Sequence, residues 1–172
     1  LKDLSVSDLL GAPYVLDALL LSLKALALAG LLHVALGLPV AYALSQRFVL
    51  RGLLEGAITL PLVFPPVALG YFLLVLFGRE GVLGHLLLDQ FGIEVVFGFW
   101  GVLMASFLAG FPLFVRPVQS AIESLPREFI EASYVLGKGR LKTFWRVILP
   151  LIKKSLIAGL ALALGRGLGE VG

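Results

Sequence analysis

The sequence contains no cysteine and has few charged residues. The absence of cysteine excludes disulfide bonds and thiolate metal sites, and the two histidines, His33 and His85, are too far apart to suggest a pair of metal ligands. Only 15% of the 172 residues are charged, whereas 59% are hydrophobic, and the mean hydropathy is +1.02. One soluble core of this size could not bury so much apolar surface, so the composition indicates a membrane protein.

Three long stretches contain no Asp, Glu, Lys or Arg: Ala25 to Leu44, Ala57 to Phe77, and Val95 to Val115. Each has about the 20 residues that a helix needs to cross a hydrocarbon layer of about 30 Å. We therefore predict an all-α integral membrane protein, a multi-span helical bundle that forms a single domain over residues 1–172. The predicted spans are 19–44, 55–77 and 95–115.

A fourth apolar run begins near Ser155 and soon meets Arg166 and Glu170. We predict an incomplete fourth span at 151–172, because this run is too short and too polar at its end to be a finished one. On this interpretation one or more C-terminal spans are missing from the sequence, and Leu1 is not the natural start. No secretory signal peptide is predicted at the N-terminus.

The basic residues indicate which connections are cytoplasmic. Arg47 and Arg51 follow the first span, eight Lys and Arg residues lie between Arg116 and Lys154, and only Arg79 lies in the second connection. Short basic loops stay in the cytoplasm, so the first and third connections are predicted to be inside. The net charge of +3 does not suggest a nucleic-acid partner, since the basic residues flank spans and lack regularly spaced stacking aromatics.

The predicted cytoplasmic loop, residues 117–150, contains helix start and stop signals. Pro126 precedes a helical segment and Gly137 follows it, with Ser124 as a candidate cap. A second, basic amphipathic segment from Leu141 to Leu149 is predicted to stop at Pro150. Such order favours a helix that docks on a partner, although a solvated loop whose charges only enforce topology is the alternative.

The loop also carries a family motif. Glu131-Ala132-Ser133, followed by Gly137 and then by Val147-Ile148-Leu149-Pro150, resembles the EAA motif of type I ABC importer permeases, with Ser133 in place of the second alanine and Val147 in place of isoleucine. The strings "LPLVFPPVALGYFLLVLFGREGVLG" and "ALGRGLGEVG" resemble the molybdate permeases, which are related to those for sulfate and tungstate. The resemblance implies a coupling helix that fits a groove on a cytoplasmic ATPase subunit. It assigns the coupling role to Glu131, Ala132, Ser133, Gly137, Leu149 and Pro150.

The chain is not itself expected to be an enzyme. Gly137-Lys138-Gly139 lacks the upstream glycine spacing and the following Ser or Thr of a phosphate-binding loop. No cofactor is therefore expected in this chain, and ATP and Mg²⁺ would bind to the partner ATPase. The resemblance further implies a location in the cytoplasmic (inner) membrane, a second copy of the chain around a two-fold axis, and an extracytoplasmic oxyanion-binding protein.

Four residues are candidates for the translocation pathway or its gate. Pro65 and Pro66 interrupt the second predicted span, either as a kink for packing or as part of a gate lining. Arg166 and Glu170 are four residues apart, so they could pair on one helix face or contact the anion. For His33 we expect a neutral imidazole bonded to a neighbouring helix, with a proton relay as the alternative.

Two other functions remain open at this point. Sulfate or tungstate could replace molybdate, because a membrane sequence does not separate such similar dianions. A gradient-driven secondary transporter would show inverted repeats, and we find no internal repeat in the sequence.

Overall fold

The structure is a computed structural model that describes residues 13–78, 81–91 and 98–171. Regular structure within these ranges is entirely helical, which confirms the predicted all-α membrane bundle. Helix α1 consists of Pro13–Leu32, a π-helical turn at His33–Gly37, and Leu38–Leu44. It is followed by α2 (Arg51–Val63), α3 (Pro66–Phe77), α4 (Val82–Phe91), α5 (Phe99–Glu123) and α6 (Arg127–Val135). Helix α7 consists of Arg140–Thr143, a second π turn at Phe144–Ile148, and Leu149–Val171.

Three of the described helices are long and apolar enough to cross a membrane: α1 over Leu19–Leu44, α5 over Phe99–Glu123, and α7 over Arg140–Gly169. Helices α2 and α3, which cover the predicted span 55–77, would together make a fourth crossing, but they meet at an angle of 114°. The break lies at Phe64 and Pro65, each of which precedes a proline and has extended backbone, with ψ of 138° and 147°. A residue before proline avoids the helical conformation, so the Pro65-Pro66 pair accounts for the break.

The helices around the cytoplasmic loop are longer than the sequence suggested. Helix α5 continues through Pro112 and Pro117 to Glu123, so Arg116 lies within a helix and does not begin a loop. Residues 95–97 of the predicted third span lie outside the described residues. The prediction that Pro150 stops a helix is wrong, because α7 runs through it. The carbonyl that the Pro150 ring would meet in a regular helix belongs to Arg146, which lies in the π turn, where the hydrogen-bonding pattern is wider.

Small residues set the register between the antiparallel helices α5 and α7. A methyl group placed at Gly110 would lie 2.7 Å from the carbonyl oxygen of Ala163, and one at Gly159 would lie 3.1 Å from that of Phe114. One turn further towards the C-terminus of α7, a methyl group at Gly167 would lie 3.3 Å from Cβ of Ser106. The contact residues thus recur every four positions on both helices, the spacing that lets membrane helices approach closely.

Helix α1 completes the core at the end of this pair where α5 ends and α7 begins. Leu38, Ala41 and Leu44 are buried in one cluster with residues of α5 and α7, including Phe114 and Ile152. The cluster also includes Ile148, the last residue of the π turn of α7. The core therefore fixes the start of α7, where the loop predicted to be cytoplasmic returns to the bundle.

Candidate functional site: the cytoplasmic coupling region

The start and stop signals predicted around α6 are confirmed. Pro126 occupies the N-cap position, and Gly137, just beyond the helix, has a φ of 72°. Its N–H donates to the carbonyl of Tyr134 (2.9 Å), and the N–H of Lys138 donates to that of Ser133 (3.1 Å). This pair of bonds is the Schellman arrangement that ends a helix with a left-handed residue. The candidate cap Ser124 was wrong, because its hydroxyl donates to the carbonyl of Ala121 (2.9 Å) at the end of α5.

A buried hydroxyl pair joins α6 to the base of α7. The Ser133 and Thr143 hydroxyls lie 2.9 Å apart, and both residues are almost fully buried. Ser133 stands where the EAA motif has its second alanine. The hydroxyl that this difference introduces is bonded to Thr143. The residue faces inward and is not on the exposed surface of α6. We interpret it as a residue that positions the helix.

We expect Ser133→Ala to destabilise the junction between α6 and α7. The substitution leaves the Thr143 hydroxyl buried without its partner, which costs about 1–3 kcal/mol, whereas removing both partners is closer to neutral. Thermal unfolding of full-length Ser133→Ala, Thr143→Val and the double variant would measure the coupling energy. Single-variant effects that simply add in the double variant would show that the two hydroxyls do not act as a pair.

Much of the rest of the α6 surface is exposed. Glu131 and Ala132 are exposed, and so are three large apolar side chains: Phe129 (53% exposed), Leu136 (74%) and Val135 (87%). No atom lies within 4 Å of a methyl group placed at Gly137. A short rigid helix with an acidic residue among exposed apolar ones is a surface suited to a groove on another protein.

Leu149 and Pro150 lie six and seven residues after Thr143, inside α7. Leu149 is half-buried against the core cluster, and Pro150 is exposed. Because α7 is continuous from Arg140, the Ser133–Thr143 contact joins α6 directly to the helix that packs along α5. The predicted coupling residues therefore divide into an exposed group on α6 and a connecting group at the base of α7.

A polar network that the sequence analysis did not identify ties α2 to α5. Glu55 accepts hydrogen bonds from Arg51 Nε (2.7 Å) and Gln119 Nε2 (2.6 Å), and its second oxygen lies 3.6 Å from Arg116 Nη1. Glu123 accepts from Arg51 Nη2 (2.7 Å) and Gln119 Nε2 (3.0 Å). The i, i+4 spacing of Arg51 with Glu55 and of Gln119 with Glu123 was the available sequence signal.

The pathway candidates lie in different parts of the bundle. Pro65 and Pro66 lie at the junction of α2 and α3. Arg166 lies near the end of α7, next to Gly167, which packs against Ser106 of α5. The side chain of Glu170 is outside the described residues, so its predicted pairing with Arg166 stays a prediction.

His33 bridges two helices from within the π turn of α1. The imidazole is 1% exposed, and its Nδ1 lies 2.6 Å from the carbonyl oxygen of Ala29. Its Nε2 lies 3.1 Å from the carbonyl oxygen of Phe107, on α5. A neutral ring donates through one nitrogen, so it can bond to Phe107 on the neighbouring helix or to Ala29 on its own helix, but not to both.

Comparison with known proteins places these features in a family. Residues 33–171 match the model of the "binding-protein-dependent transport system inner membrane component" family. The chain is 41% identical over 157 residues to the molybdenum transport system permease protein ModB of Escherichia coli K12, an alignment that covers 91% of this chain and 69% of the relative. It is 38% identical over 139 residues to the probable transport system permease protein NifC of Clostridium pasteurianum, covering 80% and 48%. It is 37% identical over 166 residues to the sulfate transport system permease protein CysT of Salmonella typhimurium, covering 96% and 60%.

Proposed function

Because this chain belongs to the family of binding-protein-dependent transport system inner membrane components, we propose that it is the membrane-spanning subunit of an ATP-driven importer that carries molybdate across the cytoplasmic membrane. The relative named for molybdenum transport supports the substrate. The observation that carries the mechanism is the exposed coupling helix α6, held to α7 by the Ser133–Thr143 pair.

In this proposal the ATPase subunit binds the exposed side of α6. Ala132 contacts the groove, Glu131 contacts its edge beside the cavity-facing side of α6, and Gly137 fixes the end of the helix. When the ATPase subunits move on binding ATP, α6 moves with them and displaces the base of α7, where Leu149 and Pro150 connect the loop to the bundle. The long, close contact between α7 and α5 carries this displacement into the membrane.

The pathway is proposed to lie between two copies of the chain. The close packing of α5 and α7 leaves no room for an anion between them, whereas α2 has no buried side chain and presents exposed apolar residues such as Leu53 and Val63. A two-fold pair would bring two such faces together. Pro65, Pro66, Arg166 and Glu170 remain the proposed pathway or gate residues.

The other parts of the machine would be separate polypeptides. The ATPase subunits would bind ATP and Mg²⁺, and an extracytoplasmic binding protein would deliver the oxyanion. The chain contributes the passage and the surface on which the ATPase acts, and it performs no chemical step itself.

The decisive experiment is ATP hydrolysis by the full-length permease with its ATPase in liposomes. The binding protein is added unloaded, or loaded with molybdate, tungstate or sulfate, and the ATPase without permease is the control. We expect hydrolysis to be stimulated severalfold by the loaded binding protein, most strongly with molybdate. Equal rates with loaded and unloaded binding protein for all three anions would contradict an oxyanion importer.

Sulfate is the second candidate substrate, because the Salmonella sulfate permease is nearly as similar in sequence as the molybdenum one. Strongest stimulation by sulfate in the same experiment would favour it, and strongest stimulation by tungstate would favour the third anion. The gradient-driven alternative is no longer proposed, since the matched family is one of binding-protein-dependent systems.

A further inference from the structure

Two cavities meet at the cytoplasmic end of the bundle. A polar chamber of about 590 Å³ lies between α6 and the adjoining ends of α1, α2 and α5. An apolar groove of about 910 Å³ lies between α1 and the first turns of α7. Tyr42, Gln46 and Tyr134 line both, so the chamber and the groove adjoin each other at these three residues.

The groove has the length of one membrane leaflet. It follows α1 from Gln46, near the cytoplasmic end, to Val34. At 1.5 Å per residue this distance is about 18 Å, slightly more than half of a hydrocarbon layer of about 30 Å. A chain of methylene groups that enters at the cytoplasmic surface would therefore find apolar lining to roughly the middle of the membrane.

The mouth of the groove has the residues of a membrane interface. Trp145 is 57% exposed and Leu141 is 73% exposed, and Arg140 lies beside them in the groove lining. Tryptophan next to a basic residue is typical of the level at which lipid headgroups meet the hydrocarbon layer. The open groove thus faces lipid at the depth expected for a headgroup.

The chamber supplies positive charge. Its charged side chains are Arg47, Arg51, Arg127, Glu123 and Glu131. Arg51 is already bound to Glu55 and Glu123, at 2.7 Å in each case. Within the described residues, Arg47 and Arg127 form no ion pair, and Arg127 remains unpaired although Glu131 is one helical turn away.

We propose that the chamber and the groove form one binding site for an anionic phospholipid of the cytoplasmic leaflet. One acyl chain lies in the groove beside Ala35 and Phe144, and the phosphate lies among Arg47, Arg127 and Arg140. Basic pockets between helices on the cytoplasmic side suit anionic headgroups, and the apolar groove favours a lipid over a free anion. The bound lipid fills the space behind α6 and supports the coupling helix from the membrane side.

The test uses the full-length permease with its ATPase in nanodiscs that contain equal amounts of phosphatidylcholine and phosphatidylglycerol. The complex is extracted in detergent, and retained lipid is identified by native mass spectrometry. We expect about a tenfold preference for phosphatidylglycerol in the wild-type complex, which falls to none in Arg47→Gln/Arg127→Gln/Arg140→Gln. The matched control is the triple variant Lys142→Gln/Lys153→Gln/Lys154→Gln, which removes the same charge from residues that line neither cavity. This control should keep the preference for phosphatidylglycerol.

Ala35→Trp tests the groove without changing charge. Ala35 is exposed in the groove, so the indole would fill the space of the acyl chain, and we expect loss of the retained lipid. Thermal unfolding checks that each variant is folded, and Arg140→Gln alone replaces the triple variant if that one is not. The proposal would be overturned if Ala35→Trp or the arginine variant retained as much phosphatidylglycerol as the wild type. It would also be overturned if inorganic phosphate displaced the lipid completely. A cryo-EM map of the same complex that shows a second copy of the chain in the groove would overturn it as well.

Discussion

Full-length Gly137→Thr is expected to insert in the membrane and to transport about tenfold more slowly per ATP hydrolysed. The φ of 72° at this position is a conformation that β-branched residues strongly disfavour, at a cost of about 1–3 kcal/mol. Each 1.4 kcal/mol is a factor of ten in the population of the native helix end. The surroundings contribute nothing to this cost, because a side chain at Gly137 would enter open space.

The strain acts on coupling because the end of α6 and the Ser133–Thr143 contact depend on each other. If residue 137 leaves the left-handed conformation, the bonds from residue 137 to Tyr134 and from Lys138 to Ser133 break. The carbonyl and the hydroxyl of Ser133 then lose their fixed positions together. The ATPase would still find α6, but its displacement would no longer be carried reliably to α7.

Gly139→Thr is the matched control for this experiment. Gly139 is two residues away and also faces open space, but its φ of −69° and ψ of 166° suit any residue. It occupies the N-cap position of α7, where threonine is favourable. Molybdate uptake and ATP hydrolysis are measured together in liposomes, and an equal ratio of the two in both variants would remove Gly137 from the coupling role.

Gly110→Ala is expected to lower the thermal unfolding midpoint of the permease by about 5 °C. A methyl group there would lie 2.7 Å from the carbonyl oxygen of Ala163 and 2.8 Å from Nε2 of His33. A backbone atom cannot move aside as a flexible side chain does, so α5 and α7 must separate. Overpacking of this kind costs about 1–3 kcal/mol, and each kcal/mol shifts the midpoint by about 2–4 °C in a protein of this size.

Gly56→Ala separates this close contact from the general effect of replacing glycine in a helix. Gly56 lies within α2, and no atom is within 4 Å of a methyl group placed there. Alanine has the higher helix propensity, so this variant should be as stable as the wild type or slightly more stable. A fall in the midpoint of equal size in both variants would show that the approach of α5 and α7 is not the cause.

The sequence predicted the coupling helix well because its boundaries depend on local chemistry. Pro126 fixes φ and cannot donate a backbone hydrogen bond, and Gly137 allows a left-handed residue, so both ends could be read from single residues. The length and apolarity of the spans were equally local properties. The role of the helix came from the family resemblance, because local sequence properties predict structure and do not indicate function.

Features that depend on contacts between distant residues could not be predicted in this way. Ser133 shares a helix face with Phe129 and Leu136, which are exposed, so only its contact with Thr143 shows that Ser133 itself is buried. The register of α5 on α7 depends on which of many glycines meet, and the network around Glu55 depends on where α2 lies against α5. The prediction that Pro150 stops a helix was wrong because it assumed a regular α-helix before the proline. The preceding residues form a π turn instead, so the usual clash with the carbonyl four residues earlier does not apply.

The two π turns have a consequence for how this chain tolerates insertions and deletions. Each precedes a proline by two residues: the turn at His33–Gly37 precedes Pro39, and the turn at Phe144–Ile148 precedes Pro150. A π turn is equivalent to one extra residue inserted in an α-helix, and one residue corresponds to a rotation of about 100°. Deleting a single residue within either turn would restore regular helical bonding and leave the buried side chains beyond it close to their present faces, because the wider turn already absorbs the extra residue. The cost would fall on the proline instead, since its ring would then meet a backbone carbonyl four residues before it, whereas a deletion elsewhere in α1 or α7 would rotate the side chains beyond it by about 100°.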